Sequence, residues 1–289
     1  MAGTKKAGRR PSLGRRLRAN RQLPFDFARS IRDGRRHRRM FDEVESYCMF
    51  IGYPRSGHSL VGSILDAHPE AVIAHELDAL RLLRLGFRRN QIWALILQRD
   101  AEFAASGSAA KTEYTYAIPG QWQGRWTTLR VIGDKKGAQS TRGVRARPEL
   151  LDRVRTTMKV PLRVVHVTRN PFDNISTISA RNRISLEAAA TAYFDLCATV
   201  SDTRSRLDPR ELLDVQHEQV ILDPTASITR LTKHVGLDAT DDFVAACAST
   251  LFSSPRRTRE NAPWTTELVD ATMARMAPYE FLNGYRYDD

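Results

Sequence analysis

The chain has 289 residues, a formal net charge of +12 and 42% hydrophobic residues. This length and apolar content suit one α/β domain with helical insertions and a full core. No apolar run approaches the roughly 20 residues of a membrane-spanning helix, and the three widely spaced cysteines suggest neither a disulfide framework nor a zinc site. We therefore expect a cytoplasmic protein in a reducing compartment, without a transmembrane segment.

The positive charge is concentrated in residues 1–40. They hold 14 Lys and Arg but only two acidic residues, Asp26 and Asp33, so the rest of the chain is electrically neutral. Because large apolar residues are few, the segment is predicted to be disordered or loosely helical. We therefore divide the chain into a basic, flexible N-terminal tail over 1–44 and a globular domain over 45–289. The tail is a solvated arm, a contact for acidic surfaces such as nucleic acid or an anionic membrane, or a transit peptide.

The most informative segment begins with the apolar, β-prone residues 47–51. Gly52 and Gly57 stand five residues apart, Ser59 follows two residues later, and apolar residues then recur at helical spacing over 60–65. The segment is therefore predicted to form a strand, a tight loop and a helix. Its glycine spacing is that of a Walker A loop. Backbone N–H groups of such a loop, at a helix N-terminus, form an anion site.

This loop departs from the Walker A pattern at one position. His58 occupies the place of the lysine, which argues against an ordinary Mg-nucleotide triphosphatase. Arg55, inside the loop, supplies the replacement positive charge. The alternative interpretation is a glycine turn that only connects a strand to a helix.

Four more short apolar segments have the character of buried strands. Charged residues follow each of them, and the carboxyl ends of strands in an open parallel sheet line one active crevice. The segments are 71–74, 129–132, 162–167 and 212–215, and the residues that follow them include Glu76, Lys135, Arg169 and Glu218. The alternation of strands and helices predicts an α/β fold, a P-loop-like three-layer sandwich with a mainly parallel central sheet.

Two short patterns, Pro54-Arg55-Ser56-Gly57 and Leu65-Asp66-Ala67-His68-Pro69, resemble the 5′-phosphosulfate loop of sulfotransferases. These enzymes use 3′-phosphoadenosine 5′-phosphosulfate (PAPS) as the sulfuryl donor. The version with Arg55 is similar to the tyrosylprotein sulfotransferase-like branch, because most cytosolic members have Lys at that position and Thr in place of His58. The resemblance extends from about residue 47 to residue 285 and implies that the globular domain is a sulfotransferase domain.

The segment Arg169-Asn170-Pro171 resembles the part of sulfotransferases that binds the 3′-phosphate, in which a serine lies eight residues after the arginine. Here Thr177 has that position and Ser176 is adjacent, so the resemblance leaves open which hydroxyl contacts the phosphate. A basic loop that closes over the 3′-phosphate is expected near residues 255–259. Its candidates are Arg256, Arg257 and Arg259, of which Arg257 is slightly preferred. Glu218 is interpreted as a structural residue that tethers a loop.

Glu76 falls 21 residues after Arg55, the spacing at which the tyrosylprotein branch has its catalytic base. The resemblance therefore implies that Glu76 is the general base and that Arg55, helped by Lys135, stabilises charge on the leaving phosphate. His75 is the alternative base, and the alternative role of Glu76 is that of a charge at a helix N-terminus. The donor contacts that the resemblance implies are Arg55, Ser56, Gly57, His58, Ser59, Leu60, Arg169, Thr177 and Arg257.

The resemblance implies sulfuryl transfer from PAPS to a hydroxyl of a small-molecule or glycan acceptor, without a metal ion. An aromatic cluster of Tyr114, Tyr116, Trp122 and Trp126 is a candidate for stacking on the acceptor, or else it packs an irregular segment onto the core. Two other classes are a P-loop small-molecule kinase that uses ATP and Mg²⁺ and a non-catalytic nucleic-acid-binding protein that uses the basic tail. A magnesium requirement would indicate the kinase.

Overall fold

The computed structural model describes residues 13–107 and 116–289, with side chains described from residue 23 onward. The strands of these residues are β1 (Ser46–Gly52), β2 (Ala71–His75), β3 (Val131–Lys135), β4 (Leu162–Thr168) and β5 (Leu212–Gln216). They form one sheet in the order β2-β3-β1-β4-β5, and all neighbouring strands are parallel. The predicted α/β class with a mainly parallel central sheet is confirmed.

Helices cover both faces of this sheet, which gives the predicted three-layer sandwich. On β1, Tyr47, Met49 and Ile51 face one apolar core, whereas Cys48 and Phe50 face the other. The α-helices of the described residues are α1 (Leu13–Arg36), α2 (Arg38–Phe41), α3 (His58–Asp66), α4 (Ala79–Arg84), α5 (Arg89–Ala105), α6 (Gly137–Ala146), α7 (Leu150–Met158), α8 (Pro171–Asn182), α9 (Leu186–Arg204), α10 (His217–Leu222), α11 (Pro224–Val235), α12 (Asp241–Ala248) and α13 (Thr266–Met276).

The parallel arrangement brings the carboxyl ends of all five strands to one edge of the sheet. β1 is central, between β3 and β4. The β1 loop (residues 52–59) and the β4 segment (residues 169–177) both begin at this edge. They are therefore neighbours in space, and residues that follow β2, β3 and β5 flank them.

The N-terminal helix packs against the domain. The Ser30 hydroxyl accepts a hydrogen bond from Gln91 Nε2 at 3.2 Å, and the ring of Phe27 meets that of Phe87 edge-on with centroids 5.0 Å apart. Gly34 allows close approach, because a Cβ at this position would lie 2.8 Å from the carbonyl oxygen of Asn90. These contacts join α1 to α5.

This packing differs from the flexible tail predicted over 1–44. In the described part of that tail, Phe41 and Val44 are buried, with 1% and 5% of their surfaces exposed. Composition misled the prediction because it counts apolar residues without their spacing, and a few small or apolar residues at helical spacing are enough to dock a helix. Within residues 13–107 and 116–289, no helix has the length and apolarity needed to cross a membrane.

Candidate active site

The β1 loop turns sharply between β1 and α3. Gly52, Arg55 and Gly57 have left-handed backbone conformations, with φ of 132°, 71° and 100°. Glycine adopts these conformations easily, whereas for Arg55 the cost is about 1–3 kcal/mol. α3 begins at His58, and the first N–H groups of a helix have no partner within it. The loop therefore presents N–H groups at a helix N-terminus, where an anion is favoured.

The side chain of His58 points into the protein and stabilises the β1 loop from its buried side. Its Nε2 donates to the carbonyl oxygen of Ile51 at 2.9 Å, so Nδ1 is left to accept from the Ser56 hydroxyl at 3.0 Å. Burial lowers the pKa of His58 to about 4, and the ring is neutral at pH 7. Gly52 and Gly137 make room for it, because a Cβ at either would lie 2.9 or 2.5 Å from Nε2. The side chains of Ser56 and His58 are therefore occupied, and these residues can offer an anion only their backbone N–H groups.

Two other predicted donor contacts in this region differ in what they present. Arg55 is exposed at the loop, so its charge is accessible to a ligand. Leu60, in contrast, donates its N–H to the carbonyl oxygen of Gly57 at 3.0 Å and packs its side chain partly against the core. The N–H of Leu60 is therefore engaged in the first turn of α3, and a contact between Leu60 and the donor stays a prediction.

Lys135, the last residue of β3, brings a cation to the start of α3. Its side chain is only 3% exposed, and Nζ lies 2.9 Å from Ser59 Oγ, 3.3 Å from Glu76 Oε1 and 3.5 Å from His75 Nε2. Burial lowers the pKa of Lys135. Gly62 makes this position possible, because a Cβ there would lie 2.7 Å from Cγ of the lysine. The structure thus brings together four residues that the sequence predicted for one crevice.

Glu76 follows β2 and is half exposed, with 51% of its side chain accessible. Its second carboxylate oxygen lies 3.2 Å from Nζ of Lys136. Burial alone would raise the pKa of Glu76, but the charges of Lys135 and Lys136 outweigh burial and lower the pKa to about 2. The carboxylate is therefore ionised at neutral pH and is a weak base as long as both lysines remain beside it.

The backbone that carries Glu76 is held by a buried carboxylate. Glu76 and Asp78 both have left-handed conformations, with φ of 62° and 71°. Asp134, on β3, accepts hydrogen bonds from the N–H groups of Leu77 at 3.0 Å and Ala79 at 2.8 Å. Burial raises the pKa of Asp134 to about 6. Asp134 fixes this unusual turn and thereby fixes where Glu76 lies.

His75, the alternative base, is also at this edge. Its ring stacks on Phe103 with centroids 4.0 Å apart, and its carbonyl oxygen accepts from Nε of Arg99 at 3.0 Å. Burial and the charge of Lys135 lower the pKa of His75 to about 3, so the ring is neutral. Tyr116 lies near, with its ring centroid 6.1 Å from that of His75.

The predicted aromatic cluster does not form a single platform. Of its members, Tyr114 lies outside the described residues. Trp122 is held by a backbone hydrogen bond to Ala67 at 3.1 Å and carries the guanidinium of Arg125 over its ring. Trp126 packs against the core on the side of α1 and α5. Tyr116 is thus the described member that approaches the crevice.

Arg169 opens the β4 segment and is 8% exposed. Its guanidinium donates to the carbonyl oxygen of Arg256 at 2.7 Å and lies 3.5 Å from the hydroxyls of both Thr177 and Thr258. Ser176 is turned away, because its hydroxyl donates to the carbonyl oxygen of Phe172 at 2.7 Å and accepts from Trp264 at 2.9 Å. Of the two hydroxyls left open by the sequence, the geometry favours Thr177.

The arginines of the 255–259 loop, which were the candidates for the 3′-phosphate, differ in their exposure and in their partners. Arg257 is 53% exposed, and its guanidinium lies 3.7 Å from Glu260. Arg259 is buried and bonds to Asp173 at 2.7 Å, so it holds the loop to α8. Thr258 is the loop residue whose side chain reaches Arg169. The preference for Arg257 therefore receives no support from the contacts, although the loop does contact Arg169.

Two residues that sequence analysis did not select also shape the crevice. Thr141, on α6, accepts from the Gly52 N–H at 2.8 Å and holds the first residue of the β1 loop. His217 follows β5, and its buried Nδ1 has no hydrogen-bond partner among the described residues. A Cβ on Gly57 would lie 2.4 Å from that nitrogen, and burial with the charge of Arg169 lowers the pKa of His217 to about 4. The sequence signal that could have identified His217 is its position directly after β5, at the carboxyl edge of the sheet.

Glu218, interpreted from the sequence as a tether, has that role. Its carboxylate accepts from the N–H of Asn170 at 2.8 Å and from the hydroxyl of Tyr285 at 3.1 Å. Asn170 in turn caps α8 by accepting from the N–H of Phe172 at 3.0 Å. This network joins the β4 segment, α10 and the C-terminal part of the chain.

Residues 49–242 match the sequence model of the sulfotransferase family. The chain belongs to the sulfotransferase family. The match covers the β1 loop, the ends of β2 and β3, and the β4 segment, and it is to the family as a whole, so the tyrosylprotein-like branch stays a prediction. No curated protein matches the chain in sequence.

Solved sulfotransferase structures share the fold. The sulfotransferase domain of the olefin synthase from Synechococcus PCC 7002 is 14% identical, with a TM-score of 0.53, and the alignment covers 81% of this chain and 94% of that domain. The sulfotransferase domain from the curacin biosynthetic pathway is 11% identical, with a TM-score of 0.51, over 82% of this chain and 99% of that domain. The chain thus has its family's fold at low sequence identity.

Proposed function

We propose that the protein transfers a sulfuryl group from PAPS to a hydroxyl acceptor. The observation that carries this proposal is the position of Lys135, whose Nζ touches Ser59 at the start of α3 and Glu76 at the end of β2. A cation, a helix N-terminus and a carboxylate thereby share one edge of the sheet. This set suits a reaction in which negative charge develops on a leaving phosphate while a hydroxyl loses its proton.

The donor lies across the β1 loop and the β4 segment. Its 5′-phosphosulfate is held by N–H groups of residues 56–59 and by Arg55, at the helix N-terminus. Its 3′-phosphate is held by Arg169, with Thr177 and Thr258 as hydroxyl partners, because a guanidinium contacts two phosphate oxygens at once. His217 packs against Gly57 of the β1 loop and helps to hold that loop beside Arg169.

In the transfer step, the acceptor oxygen forms a bond to sulfur as the bond from sulfur to the bridging oxygen breaks. The acceptor proton passes to the Glu76 carboxylate. The electron pair of the broken bond stays on the phosphate of 3′-phosphoadenosine 5′-phosphate, and Lys135 and Arg55 stabilise that charge. Arg55 acts only electrostatically, because a guanidinium does not give up its proton at neutral pH.

The low pKa of Glu76 fits this reaction only if the lysines move. When the donor enters, the phosphosulfate competes with Glu76 for Lys135, and the loss of a cation beside a carboxylate raises its pKa. Donor binding would therefore make Glu76 a better base at the moment when the acceptor needs one. We also propose that the transfer needs no metal ion, as in the sulfotransferases that the sequence resembles. Separately, no cluster of three metal-ligating side chains is found within residues 13–107 and 116–289.

The test is a transfer assay with sulfur-labelled PAPS and a panel of small-molecule and glycan hydroxyl acceptors, followed by mass spectrometry for the gain of one sulfuryl group. We expect labelled product without added Mg²⁺. Transfer from ATP in the presence of Mg²⁺, with none from PAPS, would support the alternative, a small-molecule kinase. Binding of neither PAPS nor 3′-phosphoadenosine 5′-phosphate in calorimetry would reject the proposal.

A further inference from the structure

One face of α1 combines cations with an exposed aromatic ring. Phe25, Arg29, Arg32 and Arg36 are spaced by four, seven and eleven residues from Phe25, which places them on one side of a helix. The opposite side includes Phe27, Ser30 and Gly34, the residues that contact α5 and the turn before it. α1 thus lies flat on the domain with its cationic side facing outward.

The side chains on this outer face are accessible. Phe25 is 77% exposed, and the side chains of Arg29 and Arg32 are 52% and 76% exposed. One carboxylate, Asp33, pairs with Arg29 and Arg32 at 3.3 and 3.0 Å. A single exposed phenylalanine is ordinary on a protein surface, but Phe25 continues a row of guanidinium groups.

A groove of about 530 Å³ runs between α1 and α5 beside this face. Guanidinium groups of Arg29, Arg32 and Arg36 line the α1 side, together with Asp33. The α5 side is mostly small and apolar, with Gln98 and Glu102 as its polar members. The apolar residues on the α5 side are Ala94, Leu97, Ala101 and Ala105. Trp126, in the segment between α5 and β3, also lines the groove. The groove therefore has one wall that is mainly cationic and one that is mainly apolar, with one carboxylate on each, Asp33 and Glu102.

We propose that this face of α1, with the groove beside it, docks on an anionic phospholipid bilayer. Guanidinium groups attract anionic head groups, and an aromatic ring between them enters the interface, as in helices that lie in the plane of a membrane. Docking on an anionic bilayer requires positive charge on the docking segment, and residues 1–40, which include this face of α1, carry the whole net charge of the chain. A nucleic acid would satisfy the cations through its phosphates, but it has no acyl chain for the apolar wall.

α5 separates this face from the candidate active site. Phe103, which stacks on His75, and Arg99, which bonds to the carbonyl oxygen of His75, are both on α5, on the side opposite the residues that line the groove. The docking proposal does not depend on the identity of the reaction.

The test uses the full chain in co-sedimentation with vesicles of phosphatidylglycerol and phosphatidylcholine, compared with vesicles of phosphatidylcholine alone. We expect binding to the anionic vesicles only. Replacing Arg29, Arg32 and Arg36 together with Gln should lower the partition coefficient by about 10²-fold, since each cation near an anionic surface favours binding independently. The control replaces Arg147, Arg206 and Arg230, exposed residues elsewhere, and should change it little although the net charge falls equally.

A second variant, Phe25→Ser, keeps every charge and tests the entry of the ring into the interface. It should lower the partition coefficient several-fold, and an unchanged value would reject that entry. Circular dichroism of each variant shows whether α1 remains folded. Equal losses in the two arginine triples, equal binding to neutral vesicles, or binding to nucleic acid in place of anionic vesicles at the same salt concentration would overturn the docking proposal.

Discussion

The β1 loop and the β4 segment both follow a central parallel strand and both lead into a helix, yet they offer an anion different groups. In the β1 loop, the Ser56 and His58 side chains are hydrogen-bonded inward, so backbone N–H groups face the crevice. In the β4 segment, a side chain, that of Arg169, lies beside the hydroxyls of Thr177 and Thr258. The first region presents backbone N–H groups with one accessible side chain, that of Arg55, whereas the second presents side chains.

This difference determines how each region can be damaged. A backbone site depends on glycines, because an added Cβ collides with the groups packed behind it. A side-chain site depends on its functional groups and tolerates small changes around them. The groups proposed for the chemistry, Glu76 and Lys135, lie next to the β1 loop, so changes there should affect turnover. Changes in the β4 segment should affect the affinity for the nucleotide.

The largest effect is expected for Glu76→Gln. The amide keeps the size of the side chain but cannot take a proton, and a positioned base contributes about 10²–10⁴-fold to the rate. Turnover should fall by that factor, while the affinity for 3′-phosphoadenosine 5′-phosphate in calorimetry stays within a few-fold. Steady-state kinetics with PAPS and a hydroxyl acceptor identified in the transfer assay measure the first quantity.

The exposed Glu149→Gln is the matched control for loss of one carboxylate and should retain full turnover. His75→Ala distinguishes the neighbouring base. If His75→Ala is inactive and Glu76→Gln is nearly as active as the wild type, the base is His75. Activity in both variants would mean that the acceptor loses its proton without either residue.

The next effect concerns the glycine that makes room for Lys135. In Gly62→Ala, the new Cβ would lie 2.7 Å from Cγ of Lys135, so the lysine must move away from Ser59 and Glu76. A displacement of about 1 Å in a catalytic group can cost 10²-fold in rate, and we expect a loss of turnover of that order. The measurement is kcat with saturating PAPS.

Gly143→Ala is the control for a helical glycine, because its Cβ would meet only Leu80 at an ordinary 3.8 Å. It should keep turnover and, by the better helix propensity of alanine, gain up to about 1 kcal/mol in stability. Equal turnover in Gly62→Ala and the wild type would show that the position of Lys135 does not matter for the chemistry.

A smaller effect, on binding and not on chemistry, is expected in the β4 segment. Arg169→Gln removes charge-assisted hydrogen bonds worth about 1.5–3 kcal/mol each, so the preference for 3′-phosphoadenosine 5′-phosphate over adenosine 5′-phosphate should fall about 10- to 150-fold. Arg257→Ala, at an exposed position, should change that preference by less than about 0.5 kcal/mol. Calorimetry with the two nucleotides measures both. The opposite ranking would return the 3′-phosphate contact to Arg257.

The sequence allowed prediction of features that depend on order along the chain. Five strands and the residues at their carboxyl ends, among them Glu76, Lys135 and Arg169, could be placed at one crevice because parallel strands impose it. The inward turn of His58 could not, since it depends on space left by Gly137, a residue distant in sequence. In the 255–259 loop only the arginines were considered, with a slight preference for Arg257, because charge is visible in a sequence, whereas the direction of a loop side chain such as that of Thr258 is not.

A pH test compares the buried carboxylates of the two regions. In the β4 segment, Asp173 is paired with Arg259 at 2.7 Å. Behind the β1 loop, Asp66 at the end of α3 and Asp100 on α5 are 5% and 1% exposed and interact with each other without a cation. Burial raises the pKa of both carboxyls, and for Asp66 the neighbouring Asp100 raises it further. The first carboxylate is compensated by a cation, whereas the second pair resists ionisation because both carboxyls are buried.

Asp100→Asn should therefore stabilise the protein at alkaline pH and not at acid pH. Because the folded-state pKa values lie above the usual 3.8, the folded protein binds more protons than the unfolded chain, and its stability falls as pH rises from about 4 through the folded-state pKa values. The amide has no carboxyl proton to lose and puts no second negative charge beside Asp66, for a gain of about 1–3 kcal/mol at pH 8. Denaturant unfolding at pH 4 and pH 8 measures it, with the exposed Asp202→Asn as control. A gain of equal size at both pH values would attribute it to packing and not to the ionisation of the buried carboxyls.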